Sequence, residues 1–529
     1  MKSLNMDKVC EITRKMFSNI GFKIAYIYTL LPIIIFLTGW CKWYIALGGF
    51  VILIYSYVKM CGNIPETFTM RWTRENTEKA ICILAFVLFW VFLSGIGKYV
   101  YQNTDHYARN GIFETLVNND WPVIKCYETE NGMVYRGLVY YIGFWLPSAV
   151  IGKIFGIEAG YFSQYVWAVI GIIITYYLVC VVRGKFELWP FWILVFFSGV
   201  DLIGYYLRNG GFQDMSATTH LEWWTDYQFS SFTTQLFWVF NQALPAWIIF
   251  LLLYIQKNNK QIVLILSASM LVSTLPFAGM ILYAVYFMIR NIKWEGKLKT
   301  WFIYLCKDTL TIENVLGGGM IAFICMTYLL GNTAVDAKST LGAKAEFKSV
   351  VVISEYETVS SDNTIDVTYE NQRKREDRGA KLLRHIIALL VEVAPYLILV
   401  YPFSKNKSLL YLMCGMFLLC HSVTIGYSND FCMRASIPSL LLLALFTMEA
   451  LEKMWEQKKY IYFVVILVTL SIGAATPIHE MHRTIQETWR RLECGEQIAE
   501  NTASEDYILQ GANFSGPIDN NFFFYYIAK

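Results

Sequence analysis

The side chains able to do chemistry gather in three places. The first is Thr104-Asp105-His106-Tyr107-Ala108-Arg109-Asn110, directly after an apolar run. It leads into Gly111-Ile112-Phe113-Glu114-Thr115-Leu116-Val117, where apolar residues at 112, 113, 116 and 117 keep helical spacing. A short helix along a membrane surface would bury that face and hold the Asp105 carboxylate at headgroup depth. The plainer role for Asp105 is a helix cap or a solvated charge. The second place is Phe197-Ser198-Gly199-Val200-Asp201-Leu202-Ile203-Gly204, followed by His220, Glu222, Trp223, Trp224, Asp226 and Gln228. An Asp among apolar residues is costly unless it faces a cavity or a partner. The next apolar stretch carries Asn241-Gln242-Ala243-Leu244-Pro245-Ala246-Trp247, whose amides need internal partners or a polar cavity. The third is Tyr427-Ser428-Asn429-Asp430-Phe431-Cys432-Met433-Arg434. The Arg434 fork either matches phosphate oxygens or closes a salt bridge to a neighbouring loop. Glu392 interrupts a late apolar run and gains no role from its context.

The elements that position these residues follow from composition. Of 529 residues, 56% are hydrophobic, 17% aromatic and only 16% charged, against about 25% charged in soluble domains. Such a chain cannot cover a water-facing surface, which excludes a soluble enzyme and a disordered chain. A formal net charge of +3 is too small for a phosphate-backbone partner, so nucleic acid is excluded as well. The 12 cysteines are scattered, mostly inside apolar runs, and make no C-x-x-C pair. Neither a zinc site nor a disulfide framework is indicated.

Thirteen uncharged stretches lie at 24–41, 43–58, 80–97, 137–152, 159–182, 188–200, 227–256, 261–289, 314–335, 393–404, 408–429, 435–448 and 460–479. A crossing helix needs about 20 such residues. The expectation is an all-α polytopic membrane protein with about 13 transmembrane helices. The stretch 261–289 reads as two short helices broken at Leu275-Pro276-Phe277-Ala278-Gly279. The stretch 137–152 upsets the parity and reads as a short or re-entrant helix. Lys2, Lys8, Arg14, Lys15 and Lys23 precede the first span, which has no evident cleavage site and reads as retained. By the positive-inside tendency they place the N-terminus in the cytoplasm, with the basic loops around Lys59–Lys79, Arg183, Lys257, Arg290–Lys307, Lys405 and Lys453.

Five segments follow: a two-span region at 1–78, a core at 79–335 with external loops 101–135 and 208–233, and an external insert at 336–381. A four-span region at 382–476 and an external tail at 477–529 complete the chain. Alternation within 345–370 suggests short strands, and the aromatic run Asn520–Tyr526 is expected to dock on the external face.

This pattern resembles the GT-C superfamily of polytopic glycosyltransferases, and within it bacterial members of uncharacterised type. The match rests on Asp105 in Thr104-Asp105-His106-Tyr107, just after a span, and on Asp201 at a second acidic position. Ser198-Gly199-x-Asp201, His220-x-Glu222-Trp223-Trp224, Asn241-Gln242-x-x-Pro245-Ala246-Trp247 and Asn429-Asp430-x-x-Met433-Arg434 complete it, over most of 79–476. The resemblance implies a GT-C-like fold with membrane-parallel helices in the first external loop. It implies transfer of a sugar from a polyprenyl-phosphate donor to a glycan, lipid or protein acceptor of the cell envelope. The enzyme would sit in the bacterial cytoplasmic membrane with its site on the extracytoplasmic side. Asp105 would be the general base that deprotonates the acceptor. Arg434 would steady the leaving phosphate, supported by His106, Arg109 and His220. Asp201 and Glu222 would orient the acceptor or hold a divalent ion with His220. Trp121, Trp223 and Trp224 would offer flat faces to sugar rings or belong to an interfacial belt. No Asp-x-Asp pair stands in the first loop, which leaves a metal requirement undetermined. Two other classes compete: a polysaccharide polymerase or ligase built around 332–381, and a transporter of lipid-linked saccharide.

Overall fold

The computed structural model describes residues 19–65, 73–129, 132–212, 219–294, 296–334, 378–420, 423, 429–519 and 521–529. The strands expected within 345–370 lie outside the described residues. The described chain is largely helical, with one small three-stranded sheet. Among the described residues, seven helices are long and apolar enough to cross a membrane, or nine if two bent pairs each count as one span. Their outer faces are apolar. Leu47, Val51, Ile54 and Val58 are exposed on Trp43–Gly62, and Ile461, Val464, Val465 and Val468 on Tyr460–Gly473. Such an inside-out surface needs lipid around it, because water would leave it uncovered.

The helix Phe232–Ile255 runs through the centre and is buried along almost its whole length. It packs against Ile157–Arg183, Thr274–Asn291 and Ile437–Glu456. Its hydrogen-bond ladder is irregular. Val239 leaves helical geometry at φ −135°, ψ 32°, and Pro245 removes a donor further on.

The stretch expected to be short or re-entrant at 137–152 divides in two. Residues 132–138 form a strand, and Leu146–Phe155 is a ten-residue helix folded back on Ile157–Arg183. Ten residues rise about 15 Å, half of the hydrocarbon core. The break in 261–289 comes earlier than Pro276. Ile262–Ser267 ends, turns follow, and Thr274–Asn291 carries Pro276 in its first turn, where its missing N–H costs nothing.

The first long loop contains more than the expected short helix, whose apolar face at Ile112, Phe113, Leu116 and Val117 is buried against the protein itself, with Phe113 on Tyr161. After Asp105–Asn118, β1 (Ile124–Thr129) and β2 (Gly132–Leu138) pair antiparallel. β3 (Ser515–Pro517) joins the other edge of β2. The Arg136 side chain locks this union by donating to the Leu509 carbonyl, Ser515 Oγ and Thr333 Oγ1. The aromatic run near the end of the chain docks, with Phe523 buried against Phe36 and Tyr328. The Lys529 N–H donates to the Trp40 carbonyl. The first loop, residues 139–145, residues 331–334 and the tail thus share one end of the helical body. The opposite end collects Lys257, Lys260, Arg290 and Lys453, with Asn259 and Asn314 tying its turns together.

A helix contact near the loop-bearing end tests the packing. A Cβ on Gly279 would stand 2.1 Å from the Ala435 carbonyl oxygen, whereas Gly48 has nothing within 4 Å. Gly279→Ala should lower the thermal unfolding temperature of purified protein, at a cost of about 1–3 kcal/mol. Gly48→Ala should be neutral or slightly stabilising. Equal behaviour of the two would refute the contact.

Candidate functional site

The irregular turn of the central helix serves two groups of polar side chains. Its Phe237 carbonyl accepts from Asn103 Nδ2 at 2.8 Å and His106 Nε2 at 3.2 Å. The next residue, Trp238, donates its indole N–H to Glu480 Oε2 at 3.0 Å. Phe240 stacks under the His106 ring and lies beneath the Arg109 guanidinium.

The first group faces the loop-bearing end. Asp105 opens its helix, with its backbone N–H donating to Asn103 Oδ1. Its carboxylate is 41% exposed and accepts from Arg109 Nη2 at 2.7 Å. Arg434 sits in the short helix Asp430–Ala435 and reaches Asp430 at 3.4 Å. Burial alone would lower the Arg434 pKa. The facing groups Tyr141, Asp430, Tyr140 and Asp105 hold it above the ordinary value. Tyr140 and Tyr141 are hydrogen-bonded hydroxyl to hydroxyl. Arg109 Nη1 and Arg434 Nε are buried and bond to nothing among the described residues. A carboxylate paired with one guanidinium and in the field of a second, both with spare N–H groups, suits a ligand carrying both a hydroxyl and an anion.

His106 does not join this group as a ligand-binding residue. It is 1% exposed, its Nδ1 accepts from Gln102, and its Nε2–H is taken by Phe237. Burial first, then Arg109, push its pKa down to about 3. It is a neutral strut that fixes the start of the Asp105 helix.

The second group is sealed. Asp201, Glu222 and Glu480 are fully buried, and Glu392, His220 and Arg483 nearly so. Asp201 accepts from Ser198 Oγ at 2.8 Å and Thr476 Oγ1 at 3.0 Å. The Trp224 indole donates to Glu392 at 3.1 Å and leans on Asp201 at 3.4 Å. His220 Nδ1 meets Glu480 at 2.6 Å, and Arg483 closes on Glu480 at 2.6 Å. Glu222 accepts from the Ser231 N–H, and its other oxygen is 3.7 Å from His220 Nε2. Burial alone would lower the His220 pKa, but Glu480, with Glu222 behind it, raises it. Burial pushes Glu222 up to about 7, with His220 opposing and Asp201 adding.

Asp105, Arg109 and Arg434 therefore share one neighbourhood, and Asp201, His220 and Glu222 share another. The cation set Asp201–Glu222–His220 does not form. His220 commits Nδ1 to Glu480, and no three His, Cys, Asp or Glu among the described residues are grouped to hold a metal ion. Trp224 works through its N–H, not its face. Trp121 packs on Trp40 and donates to the Leu116 carbonyl, which leaves Trp223, 53% exposed, as the open ring of the three. Sequence reasoning gave Glu392 no role and missed Glu480 and Arg483. The signal was present: Glu392 interrupts an apolar run, and Glu480 and Arg483 lie one helical turn apart just beyond another.

Compared with known proteins, the chain matches no family model, no curated protein and no solved structure.

The sealed group gives a pH signature. Between about pH 4.5 and about 7 the folded chain keeps a proton on Glu222 that the unfolded chain has released, so stability falls as pH rises through that window. His220, with its raised pKa, adds loss above about pH 6.5, while His106 acts oppositely between about 3 and about 6.5. Glu222→Gln removes the first contribution and, by taking a charge away from His220, trims the second in the same direction. The stability drop from about pH 5 to about pH 7.5 should shrink in the variant, by roughly 3 kcal/mol at most. Superimposable unfolding profiles would rule this out.

Proposed function

We propose that this chain is a GT-C-like glycosyltransferase of the cytoplasmic membrane, moving a sugar from a polyprenyl-phosphate carrier to an acceptor hydroxyl on the extracytoplasmic side. The observation that carries the reading is the half-exposed Asp105 carboxylate paired with Arg109, with Arg434 near enough to feel its charge and each guanidinium keeping a buried N–H that bonds to nothing among the described residues. Thirteen crossings accompany the reading. The seven long helices and two bent pairs supply nine, Thr274–Asn291, Lys407–Leu419 and Ile437–Glu456 supply three more, and the last must run irregularly through 256–273, where only Ile262–Ser267 is helical. The cations at the end opposite Asp105 make that end cytoplasmic by the positive-inside tendency.

In the resting site Arg109 holds the Asp105 carboxylate and occupies the oxygen that a proton would reach. A lipid phosphate competes for Arg109 and Arg434. As the guanidiniums turn to the phosphate, Asp105 is released to accept the acceptor proton. The acceptor oxygen attacks the anomeric carbon, and the carrier phosphate leaves with the bonding electron pair. The two cations stabilise the charge it gains. One base suffices for a direct displacement, which inverts the anomeric centre.

A second reading is favoured by the sealed group. Helices interrupted near 197–200, 393 and 474 bring Asp201, Glu392 and Thr476 together, as broken helices do at the midplane sites of transporters. Movement of lipid-linked saccharide in proteoliposomes, lost in Asp201→Asn and retained in Asp105→Asn, would favour it.

The transferase reading predicts that Asp105→Asn cuts transfer from polyprenyl-phosphate hexoses by about 10²–10⁴-fold in membranes, with unchanged yield of folded protein. Arg434→Ala should raise the donor concentration needed. Full activity of the Asp105 variant would end the proposal.

A further inference from the structure

The end of the body opposite Asp105 holds an open cavity of about 490 Å³, within the roughly 300–1,000 Å³ of ordinary small-molecule sites. It lies where Ile157–Arg183, Phe232–Ile255 and Thr274–Asn291 finish. Its walls are of two kinds. Val181, Val182 and Ile255 are apolar, while Arg290, Asn291 and Lys293 are polar and basic. No Asp or Glu stands among the described residues lining it. Glu449, which faces the neighbouring Tyr254, is taken up by Lys453. Arg290 is held in place. Its Nη2 donates to the Gln256 carbonyl at 2.9 Å, and its guanidinium lies 4.7 Å from the Phe287 ring centre.

An adjoining element points to lipid. The helix Leu298–Thr309 follows Lys293 closely and buries none of its residues. It exposes Phe302, Ile303 and Tyr304 and carries Lys299 and Lys307. The chain then bends by 66° into Glu313–Leu329. A helix with bare apolar side chains, flanking lysines and a sharp bend into a span is built to lie in the headgroup layer. The cavity therefore opens at headgroup depth, with cations for a phosphate and an apolar wall for the start of an acyl chain.

We infer that this cavity is a binding site for one anionic phospholipid of the leaflet at the basic end, its phosphate held by Arg290 and Lys293. The site is separate from Asp105 and does not depend on the transferase reading.

The test uses the full chain purified in detergent, with phosphatidylglycerol, phosphatidylcholine or sodium glycerol phosphate added. Native mass spectrometry counts retained lipid, and thermal unfolding reads stabilisation. Phosphatidylglycerol should be retained and should raise the unfolding temperature, and phosphatidylcholine should do neither. Lys293→Gln should weaken retention about fivefold. Arg290→Lys, which keeps the charge should Arg290→Gln fail to fold, should retain more lipid than Arg290→Gln wherever the latter can be purified. Lys405→Gln, at the same end but outside the lining, should change nothing. Equal retention of the two lipids, or equal loss in the Lys293 and Lys405 variants, overturns the inference. Stabilisation by glycerol phosphate as strong as by phosphatidylglycerol also overturns it, because the ligand is then a free phosphate.

Discussion

The turn lost at Val239 is the constraint on which the polar architecture depends. A buried helix satisfies its own backbone and has nothing to offer its neighbours. Breaking the ladder makes the Phe237 carbonyl available to other elements, and Asn103 and His106 take it. That pair fixes the start of the Asp105 helix against the centre of the body. One residue later the Trp238 indole grips Glu480 on the other side. A single irregularity thus sets the position of the rim carboxylate and of the sealed group together.

The two groups manage charge differently. At the rim, Asp105 keeps contact with solvent and its partner Arg109 keeps an unused N–H. Among the described residues of the sealed group each carboxylate accepts at least one hydrogen bond, although Glu222 Oε2 and Arg483 Nε bond to nothing. Glu480 takes His220, Trp238 and Arg483; Asp201 takes Ser198 and Thr476; Glu392 takes Trp224 and the Phe229 N–H. Burying a charge is costly unless such donors are supplied. Three donors on Glu480 make it the anchor around which His220 and Glu222 arrange.

Much of this was legible in the residues themselves. Low charge and long apolar runs announce a helical membrane body, and the spacing at 112, 113, 116 and 117 announces the Asp105 helix. Single runs cannot show where a helix stops when both sides of the break are equally apolar, as at 268–273. The β1–β2 hairpin was hidden because its third strand comes from the far end of the chain. Local pattern is also silent on the meeting of Asp201 with Glu392 and Thr476, since only tertiary packing brings three separate helix breaks together. The same reason parts Asp201 and His220 from Asp105: neighbours in a motif string need not be neighbours in space.

The union of β2 with β3 has a consequence for biogenesis. Arg136 and Ser515 are 379 residues apart in the chain. As the ribosome delivers the polypeptide, the hairpin forms early and then waits, with one edge unpaired, while hundreds of residues are inserted. An open edge of this kind invites mispairing, and closing so long a loop is slow. Maturation of the Asp105 rim thereby waits for residues 515–517, so a chain cut before them carries the site without its buttress.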